Sequence, residues 1–262
     1  MKKVMLNEFT GREIRELLQS GQAITAIVSF GSCENHADHL PLGPDFFVPE
    51  AIACRVARRV TNTVVLPCTP FGTSIHYNAY PLAVTLRYET NIALAEDIFT
   101  SLLNHGISQM LVINGHDGNI PAIEIAARNI RSRYHQANIV VIPAWWELVG
   151  HYLGGNFFDS WDNSGLGHGG EGETSAMMAL RPELVELEYA QKQIPKDVFC
   201  NYGVNRIWDI SDISATGATG DPRCASVEKG EKILACLEDE IYALLTRLEV
   251  NKWQYDLSSK TI

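Results

Sequence analysis

Four short runs of apolar and β-branched residues, at 23–30, 63–67, 109–113 and 139–143, limit what this chain can fold into more than any other feature. Each is bounded by Gly, Pro or polar residues, as buried strands are. Apolar residues recur at helical spacing in the segments between and around them, at 11–18, 46–60, 91–104, 121–134, 174–180 and 227–248. Strands that alternate with helices run in one direction, so the pattern predicts an α/β fold with a largely parallel sheet covered on both faces. With 262 residues and 46% apolar content the chain can bury a full core, and 1–262 reads as one domain. Internal repeats, low-complexity stretches and long charge blocks are absent from the sequence.

Two loops stand out. Residues 155–172 are rich in Gly, Asn, Asp and aromatics, and 209–226 carry the turn signature GATGDP. Long loops in a compact domain are often functional. Pro182 should end the helix at 174–180, because a proline pushes the preceding Arg181 out of helical geometry. Trp145, Trp146 and Trp161 either line a pocket or pack in the core, and large aromatics most often pack.

The 21 basic and 31 acidic residues leave a net charge of −10, which argues against a nucleic-acid partner and for a small substrate. No apolar run is long enough to span a bilayer, and the start, MKKVMLNEFTGREIRELL, meets acidic residues before a signal core could form. The expected location is the cytoplasm, without a membrane partner. Six scattered cysteines with no CxxC pair fit reduced thiols. Cys33 could serve as thiolate ligand or nucleophile, but the adjacent Glu34 raises a thiol's pKa and opposes that role.

Chemistry concentrates at three places. In FGSCENHADHLPLGPDFF, just past the first strand, Glu34, His36, Asp38, His39 and Asp45 fall close together. Glu34 and His36, at i and i+2 in extended chain, point to one side. Asp45 stands immediately before a helix, as a ligand or only as its N-cap. Asn114, Gly115, His116, Asp117, Gly118 and Asn119 follow the third strand and precede a helix, where open α/β sheets bind ligands. Phosphate loops carry several glycines and a Lys there, whereas this turn has a His and an Asp. His116 taken alone could equally be a hydrogen-bonded structural residue. Third comes HGGEGETS, with His168 and with Glu173 in a helix's first turn, as a ligand or only a complement to the helix dipole. Imidazole and carboxylate from three regions suit Zn, Mn or Fe in a site with an open water position. Two such ions bridged by a carboxylate make hydroxide at neutral pH and polarise a carbonyl, which is hydrolase chemistry.

Taken together, GSCENHADHLPLGPD, NGHDGN and HGGEGETS, with weaker support from FGTSIHY and GDPRCASVEKG, resemble the creatininase family of metal-dependent amidohydrolases over most of the chain. The resemblance implies a three-layer α/β/α sandwich with a largely parallel mixed sheet. It also implies a homo-oligomer, often a hexamer, and one or two divalent ions per chain. Glu34, His36 and His116 match the family's metal ligands, and Asp45 matches the carboxylate that bridges the metals. His168 matches a histidine that handles a proton or holds substrate, and Ser74, Asp117 and His168 are expected around the substrate. Where the namesake enzyme has a metal-binding glutamate this chain has Gly118, so Glu173 is expected to complete the second site and to act in catalysis. Asp117 replaces an aromatic, and YPLAVT replaces a Phe-Pro-Gly-Thr run that shapes the pocket. The expected reaction is hydrolysis of a non-peptide C–N bond, in a cyclic amide or a formamide, by a metal-bound hydroxide. Alternatives are peptide trimming, as in another branch of the family, the namesake's own reaction, and metal binding without catalysis.

Overall fold

The protein is described from a computed structural model, which covers residues 2–154, 156–160, 167–195 and 207–254. Strands β1 (Thr25–Phe30), β2 (Thr63–Val65), β3 (Gln109–Asn114) and β4 (Asn138–Ile142) form one sheet in the order β2-β1-β3-β4. All neighbours are parallel, with Thr25 opposite both Thr63 and Gln109, and Gln109 opposite Asn138. The helices α1 (Gly11–Gln19), α2 (Pro44–Arg59), α3 (Tyr88–Asn104) and α4 (Ile120–Arg133) lie before and between these strands. From β2 the chain returns past β1 to form β3, so strand order reverses between β1 and β3. That reversal opens a crevice at their carboxyl ends. The mixed character expected of the sheet is confined, among the described residues, to an isolated antiparallel bridge between Gln193 and Gly220.

The pleat divides the core into two layers. Ile27, Leu111 and Ile113 face Val48, Ile52 and Val56 of α2, together with residues of α6 (Glu171–Leu180) and α8 (Val227–Val250). Their neighbours Ala26, Val28, Met110 and Val112 face Phe99 of α3 and Ile123 and Ile130 of α4. The result is the three-layer α/β/α sandwich. Both faces of β1 are covered and all six of its residues are buried, which is why apolar residues fall on both of its faces rather than alternating with exposed polar ones. Each fully buried Ile or Phe contributes about 1.5–3 kcal/mol relative to exposure.

Local chemistry sets the helix ends. Thr10 and Glu13 form a capping box at α1, Pro44 occupies the first turn of α2, and Ser226 caps α8 through the Lys229 N–H. Arg181, at φ −143°, leaves helical geometry one residue before Pro182, as the sequence predicts. Two short elements lie outside the expected pattern. Helix α5 (Trp145–Leu153) buries Trp145 and packs Trp146 on the same core, so both pack; Trp161 lies outside the described residues. Within the second loop, Asp209 and Asp212 close a capping box on the single turn α7 (Ile210–Ile213).

A buried ion pair ties α6 to α8. Glu171 is fully buried and accepts from the Lys229 ammonium and from the backbone N–H groups of Asp159 and Ser160. Among the described residues no helix is long and apolar enough to cross a membrane. The five described cysteines are free, and Cys200 lies outside the described residues. Burial, Glu34 and Asp45 together push the Cys33 thiol's pKa up, which disfavours a thiolate role.

Candidate metal centre

The crevice at the ends of β1 and β3 receives all five expected ligands. Past β1 the chain carries Glu34 and His36, both fully buried, and β3 leads through Gly115 to His116. Asp45 arrives from α2. A β-carbon on Gly115 would overlap the Asp45 carbonyl oxygen and lie 2.7 Å from Pro49 Cγ, so only glycine lets α2 approach the end of β3 this closely. Asp45 does not cap α2: the N-cap is Gly43 without a side-chain bond, and Asp45 sits inside the first turn. Its side chain turns into the crevice, which resolves the choice between cap and ligand against the cap. Glu173, in the first turn of α6, accepts from the Gly169 N–H at 2.6 Å and approaches His36 Nε2 at 3.8 Å.

Asp45 stands between two groups. Its Oδ1 is 3.2 Å from His36 Nε2, and its Oδ2 is 3.1 Å from His116 Nδ1. On the far side, His116 Nδ1 is 3.2 Å from Glu34 Oε1. Glu34, Asp45 and His116 therefore form one set, and His36, Asp45 and Glu173 another, each with ligand atoms within 4.8 Å of one another. A third set, Glu34, His36 and His168, overlaps both.

The three imidazoles are prepared alike. His36 Nδ1 meets the Glu34 carbonyl at 3.1 Å, His116 Nε2 meets that of Thr73 at 2.9 Å, and His168 Nε2 meets that of Asn35 at 2.6 Å. A carbonyl only accepts, so each of these nitrogens carries the proton and the other is left to face the crevice. Metal-binding histidines are held in this way.

The electrostatics of the cluster suit a cation. Burial raises the Glu34 pKa, but His116 and His168 together outweigh it and hold the carboxyl below its ordinary value. Burial likewise opposes ionisation of Asp45, yet His36 and His116 bring its pKa to about 2. For His36, burial is outweighed by Asp45, Glu173 and Glu34, which lift it to about 9, and Glu34 and Asp45 raise His116 well above its usual value. These opposed shifts reflect three carboxylates packed around two buried imidazoles. Buried Glu34 Oε1 and Asp45 Oδ2 make no well-aligned hydrogen bond, and their nearest polar neighbour is the shared His116 Nδ1 at 3.2 and 3.1 Å. Orphaned carboxylate oxygens converging with imidazole nitrogens fit a cation.

Burial, then the neighbouring His36, push His168 well below the ordinary imidazole value, so its ring is neutral. Burial raises Glu173 to about 7. Other expected residues sit elsewhere. Ser74 is fully buried with its hydroxyl on Ser32 and 3.3 Å from His116 Nε2, while Asp117 is exposed. Asp38 is exposed, and His39 bonds Gly169 O and Thr174 Oγ1, which ties the first cluster to the 168–174 turn.

Sequence reasoning did not single out His76, Tyr77 or Ser32. The His76 ring lies parallel to that of His116 at 5.6 Å between centroids and edge-on to Trp208 at 5.8 Å. Buried Tyr77 packs 4.5 Å from His168. FGTSIHY was the available signal. A β-carbon on Gly118 would overlap the Thr73 carbonyl oxygen and lie 2.6 Å from His116 Nε2 and 2.9 Å from His76 Cε1.

A family model described as creatininase, creatinine amidohydrolase, matches residues 7–245. Creatinine amidohydrolase from Pseudomonas putida is 30% identical over 247 residues, which cover 89% of this chain and 92% of that protein. A mycofactocin precursor peptide peptidase from Mycobacterium ulcerans is 24% identical, covering 84% of each. A solved structure described as a manganese form of creatininase superposes with a TM-score of 0.79 at 26% identity, over 94% of this chain and 98% of that one.

Proposed function

Because the chain belongs to the creatininase family and is thus a hydrolase, we propose that it is a metal-dependent amidohydrolase cleaving a non-peptide C–N bond. The observation that carries this reading is Asp45, whose two oxygens face two separate sets of imidazole and carboxylate groups. Glu34, Asp45 and His116 would hold one divalent ion, and His36, Asp45 and Glu173 a second. Such ions, Zn, Mn or Fe, supply a nucleophile from water at neutral pH and polarise a carbonyl.

The remaining chemistry belongs to the chain. His168 carries its proton on Nε2, bound to Asn35 O, so Nδ1 is free to take a proton and to deliver it to the leaving nitrogen. Tyr77 and His36 pack against this ring and keep it oriented. Glu173 binds metal or, with a pKa of about 7, exchanges a proton with water.

The substrate is a small cyclic amide or formamide other than creatinine. The family resemblance implies a glutamate and an aromatic in the namesake where this chain has Gly118 and exposed Asp117, and His76 packs close against Gly118. A peptide substrate is the second reading, favoured by the similarity to the mycofactocin precursor peptide peptidase. Exposed Phe71, Ile75, Leu82 and Val84 support a homo-oligomer, which light scattering would size.

Elemental analysis of protein purified without added metal, paired with lactams, formamides and short peptides as substrates, tests the reading. We expect Glu34→Ala and His116→Ala to lose metal and activity, and Glu173→Gln to keep one ion and lose the other. Metal content and activity unchanged in the alanine variants would refute the metal site, and two ions retained in Glu173→Gln would refute its role as a ligand.

A further inference from the structure

We propose that Ser32 is a positioning residue which, through Ser74, fixes Glu34 and His116 as one ligand frame for a divalent ion. The inference rests on the reading that Glu34 and His116 hold metal. Both serines are fully buried, so their hydroxyl protons must go to protein atoms. The Glu34 carboxylate only accepts, so the Ser32 hydroxyl, 3.1 Å from Oε2, donates to it. Its proton thus committed, Ser32 can only accept in its short contact with Ser74, and the Ser74 hydroxyl donates. The Ser74 oxygen in turn accepts from His116 Nε2 at 3.3 Å, a proton shared with the closer Thr73 carbonyl at 2.9 Å.

Hydrogen bonds therefore run one way, from imidazole through two hydroxyls to carboxylate. Ser74 is itself held by its backbone N–H, which donates to Thr85 Oγ1 at 2.9 Å. On the inner side of the same two ligands, Glu34 Oε1 and His116 Nδ1 face each other at 3.2 Å, and Oε1 makes no well-aligned hydrogen bond. Ser32 occupies one carboxylate oxygen and leaves the other facing His116, so Glu34 would offer a cation that one oxygen. The Ser74 hydroxyl, expected around the substrate, is also part of this frame.

Manganese titration of the full chain by calorimetry, with the visible spectrum of the cobalt-loaded protein, tests this on the parent, Ser32→Ala, Ser74→Ala, the double variant, Ser32→Thr and Glu34→Gln. Ser32→Ala should weaken manganese binding about 10–100-fold and change the cobalt bands as Glu34 turns both oxygens inward. Broken once, the chain has nothing further to lose, so the double variant should match Ser32→Ala. Ser32→Thr keeps the hydroxyl and should restore affinity to within about threefold of the parent. Parental affinity in Ser32→Ala, or losses in the two single variants that multiply in the double, would overturn the proposal. If Ser32→Ala does not fold, parental affinity in Ser74→Ala overturns it, and weakened binding there with restoration in Ser32→Thr supports it. Unchanged affinity in Glu34→Gln would instead overturn the metal reading on which it rests.

Discussion

Gly118→Ala is the smallest change that should disturb this centre, and its effect follows from the space at residue 118. The added methyl would overlap the Thr73 carbonyl oxygen and lie 2.6 Å from His116 Nε2, against a normal carbon contact of about 3.4 Å or more. Thr73 O is also the acceptor that fixes the His116 tautomer at 2.9 Å, so relieving the overlap breaks that bond. Overpacking of this kind costs about 1–3 kcal/mol, and the lost hydrogen bond from a charged ring adds about 1.5–3 kcal/mol. At roughly 2–4 °C per kcal/mol for a chain of this size, the metal-free protein should melt about 5–24 °C lower. Manganese affinity should fall about 10–100-fold, because His116 loses the contact that aims Nδ1. Scanning calorimetry and equilibrium dialysis measure the two effects. A variant with the parent's melting temperature and metal content would refute the packing argument, and one that melts lower yet binds normally would refute the tautomer lock. Gly118→Glu should behave no better, since its β-carbon meets the same atoms.

Two further outcomes are expected. Lys229→Met leaves the buried Glu171 carboxylate with only two backbone donors and should cost about 3–5 kcal/mol in urea unfolding, and a loss below about 1 kcal/mol would contradict the buried pair. For His36, burial lowers the pKa but Asp45 and the other carboxylates lift it to about 9, against about 6.5 unfolded. A raised folded pKa stabilises the metal-free protein fully below about pH 6.5, and this contribution is lost as pH rises through about 9. Metal must displace the same proton, so affinity should tighten with rising pH up to about 9, with proton release seen by calorimetry in buffers of different ionisation enthalpy. A flat profile between about pH 6 and 9 would show that His36 does not bind in the neutral form.

The strands are legible because buried parallel strands are rich in apolar and β-branched residues on both faces, and β1 and β3 fall within two residues of the expected runs. Asp45 falls just ahead of the expected helix at 46–60, whereas Pro44 at the first helical position starts α2 two residues earlier. WWELVG hid α5, since Trp145, Leu148 and Val149 all pack on the core and leave little polar face to mark a helical period. His39 matched the ligand pattern by density alone, and its ring turns instead to the 168–174 turn. Ser32 lies inside GSCENHADHLPLGPD yet gives no signal of its own, because a serine within a motif has many uses and only distances to Glu34 and Ser74 select among them.

The carbonyl locks on the three imidazoles bear on how this centre can drift over generations. A codon change at Asn35 or Thr73 replaces a side chain but leaves the carbonyl that holds His168 or His116 in place. Ring orientation is thus sheltered from mutation at the residues that enforce it, except where a substitution moves the backbone. The hydroxyl chain through Ser32 and Ser74 has no such shelter, because a single base change can delete it. The setting of Glu34 is therefore free to diverge there first, while the aim of the histidines persists.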